Sequence, residues 1–155
     1  MAAEYLANAE QVVALNAPIL FTASIPCSRG LIYHEDETGI FILRGPSPCS
    51  SCCNQYATYK VTFNGNIALP EGGTVGPIAV AISVSGSERQ TSRAIFTPAA
   101  VEEYGNVTST AIIKVPRGCC FPIAVDAVPA AVDPTATPAP TITVLNANLV
   151  IDRIA

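Results

Sequence analysis

The chain reads as a single all-β domain, a jelly-roll sandwich of about eight to ten antiparallel strands. Three observations predict it. Apolar and polar residues alternate with period two through much of the chain, the mark of strands with one buried and one wet face. Turn signals carrying Gly or Asn recur, so that strands return about every ten residues. Helix-favouring Glu, Lys, Leu and Gln are sparse, and the 155 residues are 50% apolar and 13% charged, about half the charged share usual for a soluble domain. This length supports one sizeable core, and no charge-rich or low-complexity stretch divides it.

Taken in order, residues 1–10 read as an N-terminal arm and 11–155 as the jelly-roll domain. The run VVALNAPILFTA (12–23) is strand-like, as is GIFILRG (39–45). Tyr59, Val61 and Phe63 face one way, and Lys60, Thr62 and Asn64 the other. Ile78, Val80, Ile82 and Val84 alternate with Ala79, Ala81 and Ser83, and Leu145, Ala147, Leu149 and Ile151 with Asn146, Asn148 and Asp152. The turn signals are Asn64-Gly65, Glu71-Gly72-Gly73, Ser85-Gly86-Ser87, Tyr104-Gly105-Asn106 and Pro116-Arg117-Gly118. One helical turn is expected over 98–104, capped by Thr97 and begun by Pro98, with Glu102 and Glu103 near its positive end. Four prolines in VPAAVDPTATPAP (128–140) predict an extended loop between the last two strands.

A net charge of −4 with eight basic residues, unclustered in sequence, gives no electrostatic footprint for nucleic acid or an anionic membrane. No apolar run reaches 18 residues, and the opening MAAEYLANAEQ lacks the basic and apolar regions of a secretory signal. Synthesis in the cytoplasm is expected. So few charges over so much apolar surface suggest that part of the exterior is covered by other subunits.

Three segments carry a resemblance: VVALNAPILFTA (12–23), the pair GIFILRG (39–45) and YATYKVTFNG (56–65), and AIIKVPRGCCFPIAV (111–125) with NANLVIDRIA (146–155) closing the barrel. They resemble, in turn, the opening strand, the central hairpin, and the late hairpin with closing strand of the trimeric jelly rolls. That family comprises the complement globular heads and tumour necrosis factor, and also spore-surface collagen-like proteins and phage head fibres. PSPCSSCCN (46–54) departs from it as a nine-residue insertion where the family has a tight turn. The resemblance implies a homotrimer that buries aliphatic residues against copies of itself. It also places the 46–54 insertion and the 116–118 turn at one end of the barrel, which makes neighbours of the two cysteine clusters, Cys49, Cys52 and Cys53 on one side and Cys119 and Cys120 on the other.

Those five cysteines are disulfide candidates, with cross-pairing between the clusters favoured because vicinal disulfides are strained. Without an export signal, such bonds would form after release or inside a maturing particle. A zinc set of Cys49, Cys52, Cys119 and Cys120 is the competing reading, weakened because adjacent strand residues point to opposite faces. Free thiols acting as small apolar side chains are the third. Cys27 stands apart and is the candidate for an intermolecular bond or an idle thiol. His34, the sole histidine, reads as a solvated loop residue with no orienting partner for Cys27. Glu35, Asp36 and Glu37 lack the alternate spacing of a calcium loop. Asn106-Val107-Thr108 is a glycosylation sequon without a route to modification.

No catalytic motif is recognisable and no cofactor is expected. The expectation is a non-enzymatic structural protein displayed on a particle surface, foremost a phage virion as capsid decoration or head fibre, outside the cell after release. Its partners would be itself and other capsid, fibre or appendage subunits, without nucleic acid or membrane. A spore-surface or appendage subunit is the alternative, and a glycan- or ligand-binding module the second alternative.

Overall fold

The structure, a computed structural model, describes residues 2–25, 30–35, 37–48, 55–130 and 135–155. Its strands are β1 (Ala2–Ala7), β2 (Gln11–Ala14), β3 (Ala23–Ile25), β4 (Ile32–His34), β5 (Phe41–Arg44), β6 (Tyr56–Ala68), β7 (Ile78–Val84), β8 (Ser87–Glu88), β9 (Ala94–Phe96), β10 (Gly105–Pro116), β11 (Cys120–Val128) and β12 (Thr141–Arg153). They form two six-stranded antiparallel sheets. The front sheet runs β10-β6-β12-β1-β3 with β2 beside β12, and the back sheet β4-β5-β11-β7-β8 with β9 beside β7. This is the jelly-roll sandwich that the alternation predicts.

The core lies between the sheets. Tyr59, Val61 and Phe63 are fully buried beside Phe21, Phe41, Leu43, Ile113, Leu149 and Ile151, while Lys60 and Asn64 face outward. Burial of such side chains stabilises by roughly 1.5–3 kcal/mol each relative to exposure. The Tyr59 hydroxyl joins the layers, donating from β6 to the Arg44 carbonyl of β5 at 2.5 Å.

Several local expectations are corrected. Residues 12–23 are not one strand: β2 stops at Ala14, Asn16 turns with φ 64, and the chain then bonds to β11 through Ile19 N–H to Val125 O at 2.8 Å. Ala2–Ala7, within the expected arm, forms β1 between β12 and β3. Neither resemblance pair is a hairpin, because β5 and β11 lie in the back sheet and β6 and β10 in the front one. Both cysteine-bearing connections therefore cross between layers. Asn64-Gly65 is no turn; it continues β6, paired on one side with Thr108 and Val107. A Cβ at Gly65 would meet the Phe63 ring at 2.8 Å, so the glycine serves packing. Gly105 likewise opens β10, packed against the Phe96 ring.

In β7, Ala79 and Ala81 are as buried as Val80 and Ile82 and form a second apolar cluster with Val128 and Ala130. The strand is covered on both faces. A bulge between Leu145 and Asn148 inserts one residue into β12, with Asn146 at φ 50, and this flips the parity of the strand. Val144 therefore points inward, Leu145 turns to the half-buried exterior, and Ala147, Leu149 and Ile151 point inward again. The expected helical turn at 98–104 is absent, because Glu102 adopts φ 59 and gives its N–H to Leu69 O. The described helix is a 3-10 turn, Gln90–Ser92.

Candidate functional site

The two cysteine-bearing crossings meet at one end of the sandwich. Gly45 N–H donates to Cys119 O at 2.9 Å, Gly118 N–H to Pro46 O at 2.9 Å, and Arg117 N–H to Gln55 O at 2.8 Å. Gly118 turns with φ +73, the left-handed conformation that glycine takes without steric cost. Both described flanks of the 49–54 segment are thus tied to the 116–119 turn, as the strand order implied. Cys49, Cys52, Cys53 and Cys27 lie outside the described residues. Cys119 and Cys120 are exposed free thiols, with Cys120 opposite Arg44 at the start of β11. They stand at the surface, open to a second thiol, rather than acting as small apolar side chains in the core.

The broad outer face of the front sheet was only partly visible in sequence. Along its β10–β6 edge runs a ladder of uncharged polar side chains: Asn106 Nδ2 donates to Asn66 Oδ1 at 3.3 Å, Thr108 Oγ1 to Asn64 Oδ1 at 3.2 Å, and Thr110 Oγ1 to Thr62 Oγ1 at 3.5 Å. Beside it, Asn148 Nδ2 donates to Glu4 Oε1 at 2.9 Å. Toward the cysteine end the face mixes apolar and basic side chains: Ile112, Tyr56 and Ile154 are exposed by 45%, 54% and 52%, with exposed Lys60 opposite Ile112 and exposed Lys114 two residues on. Cross-strand register, which joins residues some 45 positions apart, assembles this face, so only the alternation within each strand could have signalled it.

His34 is not a solvated loop residue. It ends β4, stacks on Phe41 with centroids 4.5 Å apart, lies 5.1 Å from Tyr5, and its Nε2 bonds Thr38 O at 2.9 Å. Its role is packing. Glu35 and Glu37 are exposed; Asp36 lies outside the described residues. Asn106 is exposed and occupied with Asn66.

At the opposite end, a groove of about 810 Å³ is lined by Leu69, Pro70, Val75, Pro77, Pro129 and Pro138, among others. Glu71 is the ionisable side chain of its described lining, which holds no aromatic ring. Nearby, Tyr104 donates to Glu10 Oε2 at 2.9 Å. Partial burial, that hydrogen bond and the charges of Glu10 and Glu102 push the phenol up to about 12. A Glu10→Gln protein should titrate Tyr104 nearer its usual 10, read by ultraviolet difference absorbance. In the native protein the unfolded state ionises first, so Tyr104 should make stability fall as pH rises from about 10 toward 12. Asp126 has its carboxyl raised by burial, opposed by a hydrogen bond from Ser83 and reinforced by Glu88. It is a half-buried carboxylic acid with no nucleophile placed beside it among the described residues.

No family model and no curated protein matches the chain. Solved structures do. The globular domain of zebrafish complement 1qA superposes with a TM-score of 0.61 at 12% identity, covering 99% of this chain and 97% of that one. Eiger TNF from S. frugiperda superposes at 0.62 and 10% identity, covering 100% and 92%. Likeness at this identity is a likeness of fold, and it spans the whole chain: the molecule has the jelly roll of the complement heads and tumour necrosis factor.

Proposed function

We propose that the chain is a non-enzymatic structural module that associates with copies of itself as a homotrimer on the surface of a particle, foremost a phage virion, as capsid decoration or head fibre. The observation that carries the reading is the front-sheet face: a ladder-paired Asn and Thr surface running into exposed Ile112, Tyr56 and Ile154. Such a face suits burial against like surfaces, since the ladder's polar groups are already paired and its exposed Ile112, Tyr56 and Ile154 gain from leaving water. The fold likeness supports the same reading. Nothing in the described groove assembles a nucleophile, a base and an oxyanion site, and without aromatic rings its described lining gives a sugar nothing to stack on.

Disulfides between the 49–53 cluster and Cys119 or Cys120 would fasten this assembly, the tied flanks bringing the two connections together. The exposed adjacent thiols also suit a spore-surface or appendage subunit cross-linked after release. Light scattering coupled to gel filtration should give three times the chain mass; a monomer at micromolar concentration would refute the trimer. The double variant Cys119→Ser/Cys120→Ser should keep its circular dichroism spectrum. In oxidising buffer it should lose resistance to heat and detergent on non-reducing gels, by a few kcal/mol in the loop-entropy account. Unchanged resistance would remove the disulfides.

A further inference from the structure

The back sheet presents a second outer face, on the far side of the core from the front-sheet ladder. Its outward positions follow from alternation and register. Tyr33 of β4 lies opposite Ile42 of β5, and Ile42 opposite Pro122 of β11. Tyr33 and Pro122 are exposed, Ile42 is half-buried, and Ile40, just before β5, is exposed again. Ala124 follows on β11, with Ser83 of β7 opposite it. The middle of this face is uncharged.

Charges mark its two ends. At one end Arg44 is exposed opposite Cys120. At the other, half-buried Asp126 lies opposite Ala81 and bridges to Pro18. The other described charges around this face are occupied or marginal: Glu88 is held by Arg93 at 2.7 Å, Arg89 turns to the Ile112 carbonyl of the front sheet, and Glu35 and Glu37 lie in the turn after β4. Burial and the Glu88 charge raise the Asp126 carboxyl against a hydrogen bond from Ser83. A cation brought over it would favour the ionised form.

Cys120, the register partner of Arg44, stands six residues before Asp126, about 20 Å of strand. The midpoint falls between Pro122 and Ala124. Turned end for end about this midpoint, the face is its own complement: Arg44 of one copy meets Asp126 of the other, twice over, and the Tyr33-Ile42-Pro122 row meets Ile40 and Ala124. With strands parallel, Arg44 would oppose Arg44. Stacked sheets sit about 10 Å apart, a gap that an arginine and a carboxylate span between them.

We propose that two copies pair back to back through this face, strands antiparallel, about a twofold axis between Pro122 and Ala124. Four strands about 4.8 Å apart over that length give on the order of 400 Å² per copy, about half the usual area per partner, so a single contact is weak. The pairing needs no trimer. Being isologous, it stops at two chains when the units are monomers, whereas trimers, each holding three such faces, join into larger assemblies.

Sedimentation equilibrium of the full chain in reducing buffer, which excludes thiol cross-links, separates the two readings. The mass at about 5 μM reports the lateral state, trimer or monomer; by about 1 mM it should rise about 1.5-fold or more. Arg44→Glu makes both ends acidic and Asp126→Lys both ends basic, and each alone should keep its dilute mass. An equimolar mixture should regain the rise, which a misfolded variant would not restore. Pro122→Glu, at an exposed position clear of the core, should abolish the rise with an unchanged circular dichroism spectrum, and it keeps the test decisive where Asp126→Lys fails to fold. A wild-type mass independent of concentration, a rise in Arg44→Glu or Pro122→Glu alone, or folded variants that fail to recover on mixing would each overturn the proposal. So would a rise that survives Arg44→Glu and vanishes in Ile112→Glu, which would assign the contact to the front sheet.

Discussion

A Phe41→Ala protein is expected to lose about 3–5 kcal/mol of stability, the usual cost of emptying a large aromatic site in a packed core. For a chain of this size that is on the order of 10 °C in Tm. Phe41 is fully buried. It contacts the Tyr5 ring at 4.4 Å, the His34 ring at 4.5 Å and the Phe21 ring at 5.6 Å. These partners belong to β1 in the front sheet, β4 in the back sheet and the segment after β2, so the cavity would loosen three elements at once. Differential scanning calorimetry checks it, with Phe41→Leu expected to lose a smaller share. A Phe41→Ala Tm within about 2 °C of wild type, under 1 kcal/mol for a chain of this size, would mean that the cluster closes over the void.

Gly45→Ala is expected to be nearly as damaging, for a different reason. A Cβ at position 45 would fall on the Pro116 carbonyl oxygen and lie 2.8 Å from its carbon. Both are backbone atoms, so no rotamer change relieves the clash, and the two crossings must move apart. The loss should be about 2–4 kcal/mol, in the range of overpacking and strain, read as a lower urea midpoint. Any cross-link between the two cysteine connections should form in lower yield as well. Gly76→Ala is the control: nothing lies within 4 Å of its Cβ, and its stability should stay within about 0.5 kcal/mol.

How far the sequence carried depended on which physical quantity fixed each feature. Alternation over Tyr59 to Asn64 reports burial directly, because side-chain direction in a strand has period two, and it identified the core face of β6 without error. The same rule failed at Leu145, where one inserted residue inverts parity and composition carries no sign of it. Asn64-Gly65 has the composition of a hairpin turn, but pairing on both flanks of β6 outweighs local turn preference. The 39–65 and 111–125 pairs look like hairpins because strand, turn and strand follow in order. Which sheet each strand joins is decided by long-range partners that no local pattern records. For the candidate site, the nearness of the two cysteine connections came from the strand assignment that the family resemblance implied. The polar ladder was not legible, since it arises from register between distant strands. Cys49, Cys52 and Cys53 lie outside the described residues, so their pairing rests on the proposal.

The reach of Arg89 to the Ile112 carbonyl also bears on solubility. β10 is an outer strand twelve residues long, and an outer strand of that length with open hydrogen-bonding groups is a template on which other chains can add, the route to uncontrolled fibrous growth. The guanidinium occupies one of those acceptors, and the Ser109 hydroxyl, bonded to the Ser92 carbonyl, pins the neighbouring segment alongside. Recruitment of further chains is thereby shifted away from backbone zippering. A chain whose long outer edge is occupied in this way is less open to the addition of a further strand.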